Sequence, residues 1–374
     1  RYLFMTLVTG NGYGGLEHRN STSLMCARDD LPKRTDEPGK VRDGYRNYLG
    51  LCSHEYFHTW NIKRIKPAAF TPFDLSREVH TELLWAFEGI TSYYDDLSLT
   101  RTGLIAPQSY LELLGQTLSR VYRGQGRHKQ TVTESSFDAW TRFYKQDENA
   151  PNAIVSYYTK GSLVALALDL TLRNLTGEQK SLDDLMRLLW ARYGQTGEGV
   201  PEQGIQPLAE EVAGCDMSDF FERALYSTED LPLAELLAER GVELNWRSAA
   251  GHGDNGGKPG KEGIANLGVR VVGDSMGAKI AVAFEQGPAM AAGLSAGDVI
   301  IAVDGLQATQ SNIDNLMANF LPGEIVEVHA FRRDELMKFK VKVAPSEPST
   351  AYLTIAKGGL TEKGKAWLHW KGNE

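Results

Sequence analysis

The chain has 374 residues, 42% of them hydrophobic and 24% charged, a balance that builds packed cores and excludes a disordered protein. Its formal net charge of -8 argues against a nucleic acid or an anionic membrane as partner, since either selects a concentrated basic surface. Cys26, Cys52 and Cys215 lie far apart with no C-x-x-C pair, which suits free thiols rather than a disulfide framework.

In chain order, residues 1–8 alternate apolar and aromatic side chains and predict a β-strand. A glycine-rich turn over 10–15 follows, and Leu16-Glu17-His18 returns as an extended segment. Because the chain opens inside a strand and lacks an initiator Met, the expectation is a piece of a longer protein with a domain upstream. A polar loop spans residues 28–42. Apolar residues at spacings of three and four then predict helices over 45–60, 77–99, 107–123, 160–175, 182–193, 205–213 and 217–225. No apolar run reaches the roughly 18 residues of a membrane span.

Residues 247–261 are glycine-rich, polar and without periodicity, as in a linker or exposed loop. Beyond them, short β-type runs at 268–272, 279–284, 299–303, 325–332 and 337–343, with one helix near 313–319, predict a small β-rich domain. The expected fold class is multidomain α+β. Residues 1–245 form a mainly helical domain with β-strands at 1–25 and helices from about 43, followed by a linker at 246–264, a β-rich domain at 265–346 and a tail at 347–374. The tail reads as a strand returning onto either domain, without a functional reading.

The chemistry concentrates at His54-Glu55-Tyr56-Phe57-His58. On a helix, positions i and i+4 share a face, so His54 and His58 can offer two imidazole nitrogens to one ion, while Glu55 points about 100° round the axis toward a water beside it. Two polar histidines that merely share a helix face are the plain alternative. A hydrolytic zinc takes a third protein donor and leaves one position open. Glu88 suits that role: it lies in the apolar run Leu84-Trp85-Ala86-Phe87-Glu88-Gly89-Ile90, where a carboxylate needs a cation, a partner or solvent. Thr91, Ser92 and Asp95 are candidates to orient the imidazoles, and spacing does not choose among them. Asn61, Lys63 and Arg64 read as residues that end the helix before Pro67 and were kept out of the site.

The runs 54–67 and Trp85-Ala86-Phe87-Glu88-Gly89-Ile90-Thr91-Ser92-Tyr93-Tyr94, with Gly14-Gly15-Leu16-Glu17-His18 before them, closely resemble the glycyl aminopeptidase family of zinc metallopeptidases. That family belongs to the gluzincins, with a thermolysin-like catalytic domain whose third zinc ligand is a Glu on the next helix. The resemblance implies one zinc ion on His54, His58 and Glu88, with Glu55 as general base. Ser156-Tyr157-Tyr158-Thr159-Lys160-Gly161 resembles the Tyr-x-Lys-Gly stretch that carries a catalytic tyrosine in related aminopeptidases. This implies Tyr158 as oxyanion donor, with Tyr157 as the alternative. Gly14-Gly15-Leu16-Glu17-His18 is similar to a Gly-x-Met-Glu-Asn segment, implying that Glu17 binds the substrate ammonium while Gly14 and Gly15 pair with its main chain. His18 stands where the family has Asn.

Residues Asn266-Leu267-Gly268-Val269, 287–294 and 297–305 resemble a bacterial-type PDZ domain, implying that the Leu267, Gly268 and Val269 backbone receives a peptide carboxylate. The expected function is a zinc aminopeptidase acting on peptides, possibly with Gly or Ala at the N-terminus. A zinc endopeptidase recruiting substrates through the PDZ domain and a non-catalytic peptide-binding scaffold are the rivals. The β-sandwich domain that precedes the catalytic domain in such proteins is absent from this sequence. Cytoplasm and periplasm of a bacterium both remain open as compartments.

Overall fold

The computed structural model describes residues 1–37, 39–263 and 265–369; residue 264 of the expected linker and residues 370–374 of the tail lie outside that range. Strands β1 (Leu3–Thr9), β2 (Tyr13–Glu17) and β3 (Ser21–Ala27) form a sheet in the order β1-β3-β2, with β1 parallel and β2 antiparallel to β3. β2 is therefore an edge strand, and it packs on helix α1 (Asp43–Phe57). Helices α2 (Ile90–Arg101) and α3 (Pro107–Arg123) and the almost wholly buried helix Thr159–Leu175 build the main core around Trp85, Ile90, Leu97, Leu111 and Leu166.

The segment expected to be helical over 77–99 divides in two. Residues 77–83 are irregular, and the helix begins with a π turn, Trp85–Gly89, that runs into α2. Its start is set from outside the segment. The Glu202 carboxylate accepts from Thr81 Oγ1 at 2.7 Å and from the Glu82 N–H at 2.8 Å, capping the helix entry across 120 residues of sequence. The π turn shifts Glu88 relative to an ordinary helix, a distortion that recurs at functional sites.

The β-rich unit has the expected elements. Strands Val269–Gly273, Ala278–Ala283, Val299–Val303, Ile325–Arg332 and Glu335–Lys342 form one antiparallel sheet closed over its own core of Val271, Ile280, Ile300, Val326 and Val328. The polypeptide enters this unit after strand β4 (Val242–Arg247) and leaves it into the strand Thr350–Ile355, which pairs antiparallel with β4. The β-rich unit is thus inserted between two neighbouring strands. The returning segment packs on α3 and carries Trp367, fully buried, whose Nε1 donates to Tyr93 Oη at 2.9 Å. The stretch without a functional reading is therefore part of the helical unit's core.

Candidate metal centre

His54 and Glu55 occupy the last turn of α1, and His58 follows its final residue in helical conformation, its N–H donating to His54 O at 3.2 Å. The i,i+4 relation survives, so both imidazoles leave the same face, with ring centroids 4.7 Å apart. Glu88 meets them from the π turn. Its Oε2 lies 3.3 Å from His54 Nε2 and 3.3 Å from His58 Nε2. Two donors bound tetrahedrally at about 2.0–2.1 Å stand about 3.4 Å apart, so these separations suit a common ion. Glu88 Oε2 is also buried without a hydrogen-bond partner, which is costly unless a cation reaches it.

The opposite side of each ring is fixed. His54 Nδ1 meets Asp95 Oδ2 at 3.0 Å, and His58 Nδ1 meets the Asn61 carbonyl at 2.9 Å. A carbonyl only accepts, so His58 carries its proton on Nδ1 and turns a bare Nε2 inward when neutral. Of the three candidate orienting residues, Asp95 contacts an imidazole, while the Thr91 hydroxyl receives Asn61 Nδ2 at 3.2 Å. Asn61 Nδ2 also reaches Ala86 O at 3.0 Å, tying the end of α1 to the π turn.

Electrostatics give the same picture. Burial pulls the His54 pKa down, but the carboxylates of Asp95 and Glu88 push it up to about 10. Burial raises that of Glu88, yet His58 and His54 hold it down to about 2. This donor set demands positive charge at its centre, and protons supply it when no metal does.

Glu55 is buried, with Oε2 unpartnered; burial pushes its carboxyl up, opposed by His54 and His58. The β2 main chain lies against it so closely that a Cβ at Gly15 would stand 2.1 Å from Glu55 Oε1, so this position needs glycine. Gly14 has open space at its Cβ direction on the same edge strand. Glu17, two residues on, brings a carboxylate oxygen within 4.8 Å of ligand atoms of Glu55 and His58. The same oxygens and nitrogens make that trio a second possible cation cluster.

The Tyr158 ring stacks beside His54, centroids 6.3 Å apart, and its hydroxyl pairs with Tyr144 Oη at 3.1 Å. Tyr157 is buried against Phe143, its hydroxyl donating to Tyr144 at 3.3 Å. Burial, with Glu88 adding to it, raises the Tyr158 pKa far above the phenol range, so the hydroxyl keeps its proton and can donate. Glu88 and Tyr158 come together because Gly89 touches Gly161: a Cβ on Gly89 would lie 2.6 Å from the Gly161 Cα.

In the β-rich unit, Leu267, Gly268 and Val269 line a cavity of about 1150 Å³ whose far wall includes Tyr122, Arg123 and Trp246 of the helical unit. Gly268 has a φ of +68°, and its carbonyl accepts from the Phe284 N–H at 2.9 Å. Asn152 fastens this end to the helical unit, its Nδ2 donating to Ala283 O at 2.9 Å and its Oδ1 accepting from the Glu285 N–H at 2.9 Å.

Residues 47–164 match the family described as M61 glycyl aminopeptidase, and residues 265–343 match the PDZ domain family. The stretch that holds the candidate metal centre is thus similar to the M61 glycyl aminopeptidase family, and the β-rich unit to the PDZ domain. The M61 match contains His54, Glu55, His58, Glu88 and Tyr158, and the PDZ match contains Leu267, Gly268 and Val269. A crystal structure of an aminopeptidase N family protein from Idiomarina loihiensis is 45% identical and superposes with a TM-score of 0.94, covering 98% of this chain. The chain spans 62% of that chain's length. An HtrA-type protease with a decapeptide shares 24% identity over 24% of this chain and 31% of its own, with a TM-score of 0.23. A serine endoprotease from Yersinia pestis shares 21% over 22% of this chain and 30% of its own, with a TM-score of 0.20. No curated protein sequence matches. No helix among the described residues is long and apolar enough to cross a membrane.

Asn61 and Lys63, set aside on sequence grounds, both touch this site. Lys63 Nζ lies 2.9 Å from Glu17 Oε1. The signal was present in the motif-like run after His58, but a helix-ending turn and a site-building turn look alike until the chain folds.

Proposed function

We propose that the chain is a zinc-dependent aminopeptidase that removes N-terminal residues, glycine or alanine among them, from peptides. The observation that carries this reading is the approach of two imidazole Nε2 atoms to the buried, unpartnered Glu88 oxygen, with Glu55 beside them. The M61 match over residues 47–164 and the Idiomarina likeness support a peptidase.

His54, His58 and Glu88 hold one zinc ion per chain. A zinc ion there polarises a carbonyl and makes water a nucleophile near neutral pH. Glu55 takes the proton from the attacking water and returns it to the leaving amine; its raised pKa suits a group that must do both. The Tyr158 hydroxyl donates to the carbonyl oxygen as it gains charge. Glu17 receives the substrate's α-ammonium, and the edge of β2 at Gly14 and Gly15 pairs with its extended main chain. The Leu267, Gly268 and Val269 backbone takes a peptide carboxylate at the PDZ domain.

The test is metal content and hydrolysis of an alanyl arylamide by the wild type and Glu55→Gln. Both proteins bind one zinc, and the variant loses activity by about a hundredfold or more. Undiminished turnover in a zinc-loaded Glu55→Gln would refute the role of Glu55. A folded wild type that takes up no zinc and hydrolyses nothing would instead favour a peptide-binding scaffold.

A further inference from the structure

Three contacts fix the β2 hairpin to the end of α1. Gly15 lies on Glu55, Lys63 Nζ reaches Glu17 Oε1 at 2.9 Å, and Arg64 Nη1 donates to the Arg19 carbonyl at 3.2 Å. Two of them come from one turn, Asn61–Ile65, which is itself rigid. Ile62 N–H donates to Ile65 O at 2.8 Å, Lys63 N–H to His58 O at 3.1 Å and Ile65 N–H to Trp60 O at 2.8 Å. Ile62 has a φ of +114°, which a β-branched residue adopts only when its surroundings impose it. From this turn Lys63 reaches back across the end of α1 to β2.

Glu17 is the β2 side of the pair. It is the last residue of an edge strand, and its carboxylate shares a space with that of Glu55, their oxygens lying within 4.8 Å. Two carboxylates that close repel each other, and without a cation between β2 and α1 Glu17 would swing outward. We propose that Lys63 is a positioning residue for the amine end of the substrate: its ammonium holds Glu17 over the metal centre with part of the carboxylate free for a substrate ammonium. A carboxylate accepts up to about four hydrogen bonds, so both cations can share it. This inference rests on the aminopeptidase reading and adds to it the source of Glu17's placement.

The experiment compares wild type, Glu17→Gln, Lys63→Met and Lys63→Arg on an alanyl arylamide and its N-acetyl counterpart, with zinc content and thermal midpoint measured for each. Lys63→Met is expected to raise KM for the free-amine substrate about tenfold, with kcat and zinc content near wild type. Lys63→Arg is expected to restore most of the loss. Activity on the acetylated substrate stays low and unchanged across the Lys63 variants. If Glu17→Gln raises KM and Lys63→Met does not, or if Lys63→Met lowers KM, the positioning role is overturned while the aminopeptidase reading stands. A loss confined to kcat, or one tracking zinc content or thermal midpoint, also overturns it. If wild type cleaves both substrates equally and Glu17→Gln has no effect, the aminopeptidase reading fails, and the role of Lys63 fails with it.

Discussion

Gly89 and Gly161 meet main chain to main chain: a Cβ on the first would fall 2.5 Å from the carbonyl carbon of the second. One glycine follows Glu88 and the other lies three residues after Tyr158, so this contact sets how far apart the candidate metal centre and the tyrosine can be. Gly89→Ala must push the π turn off helix Thr159–Leu175. Overpacking of this kind costs about 1–3 kcal/mol, and Glu88 moves with the turn. Thermal unfolding and zinc titration should both show the loss; an unchanged midpoint with unchanged zinc affinity would count against it.

On the zinc reading, Asp95 would act on the ion through His54. Asp95→Asn keeps the size of the side chain but removes the negative charge behind the imidazole, and zinc affinity should fall about 10- to 100-fold. Competition with a chromophoric chelator measures this. The fold should survive, because the other side-chain hydrogen bond of Asp95, from the Asp96 N–H to Oδ1, is one that an asparagine oxygen can also accept.

A pH effect is expected at Asp254, far from the metal. Its carboxylate pairs with the Arg247 guanidinium through both oxygens and accepts from the N–H groups of Ala250 and Gly256, each at 2.9 Å. Burial raises its pKa, but these partners hold it at about 2, below its ordinary 3.8. A depressed folded-state pKa means stability present above about pH 4 that drains away as pH falls toward 2. Wild type and Asp254→Asn should therefore differ in urea midpoint at pH 7 and converge near pH 2. Curves that stay parallel in acid would remove the carboxylate from the account.

The legible parts of this molecule were those whose causes are local. His54 and His58 are four residues apart on one helix, and that spacing survives folding whatever surrounds it. Glu88 stood out because a carboxylate in an apolar run has to answer for its charge. The β-rich unit was readable because its strands alternate and its turns carry glycine. What escaped was set by residues distant in sequence. Helix entry at residue 84 depends on Glu202, so the periodicity over 77–83 misled. Lys63 reaches Glu17 from a turn in which Ile62 takes a positive φ, which no local preference of isoleucine suggests. Trp367 finds Tyr93 across 274 residues, so the terminal stretch could be read as a returning strand but not assigned to the helical unit whose core it joins.

Arg247 and Thr350 are register partners, so the β-rich unit departs and returns through points one interstrand spacing apart, about 5 Å. Geometrically it behaves as a cassette. A two-residue reverse turn could close the gap it would leave, and the scaffold would lose a passenger without losing a strand. Such an arrangement lets the inserted unit change without opening the hydrophobic interior of the helical unit.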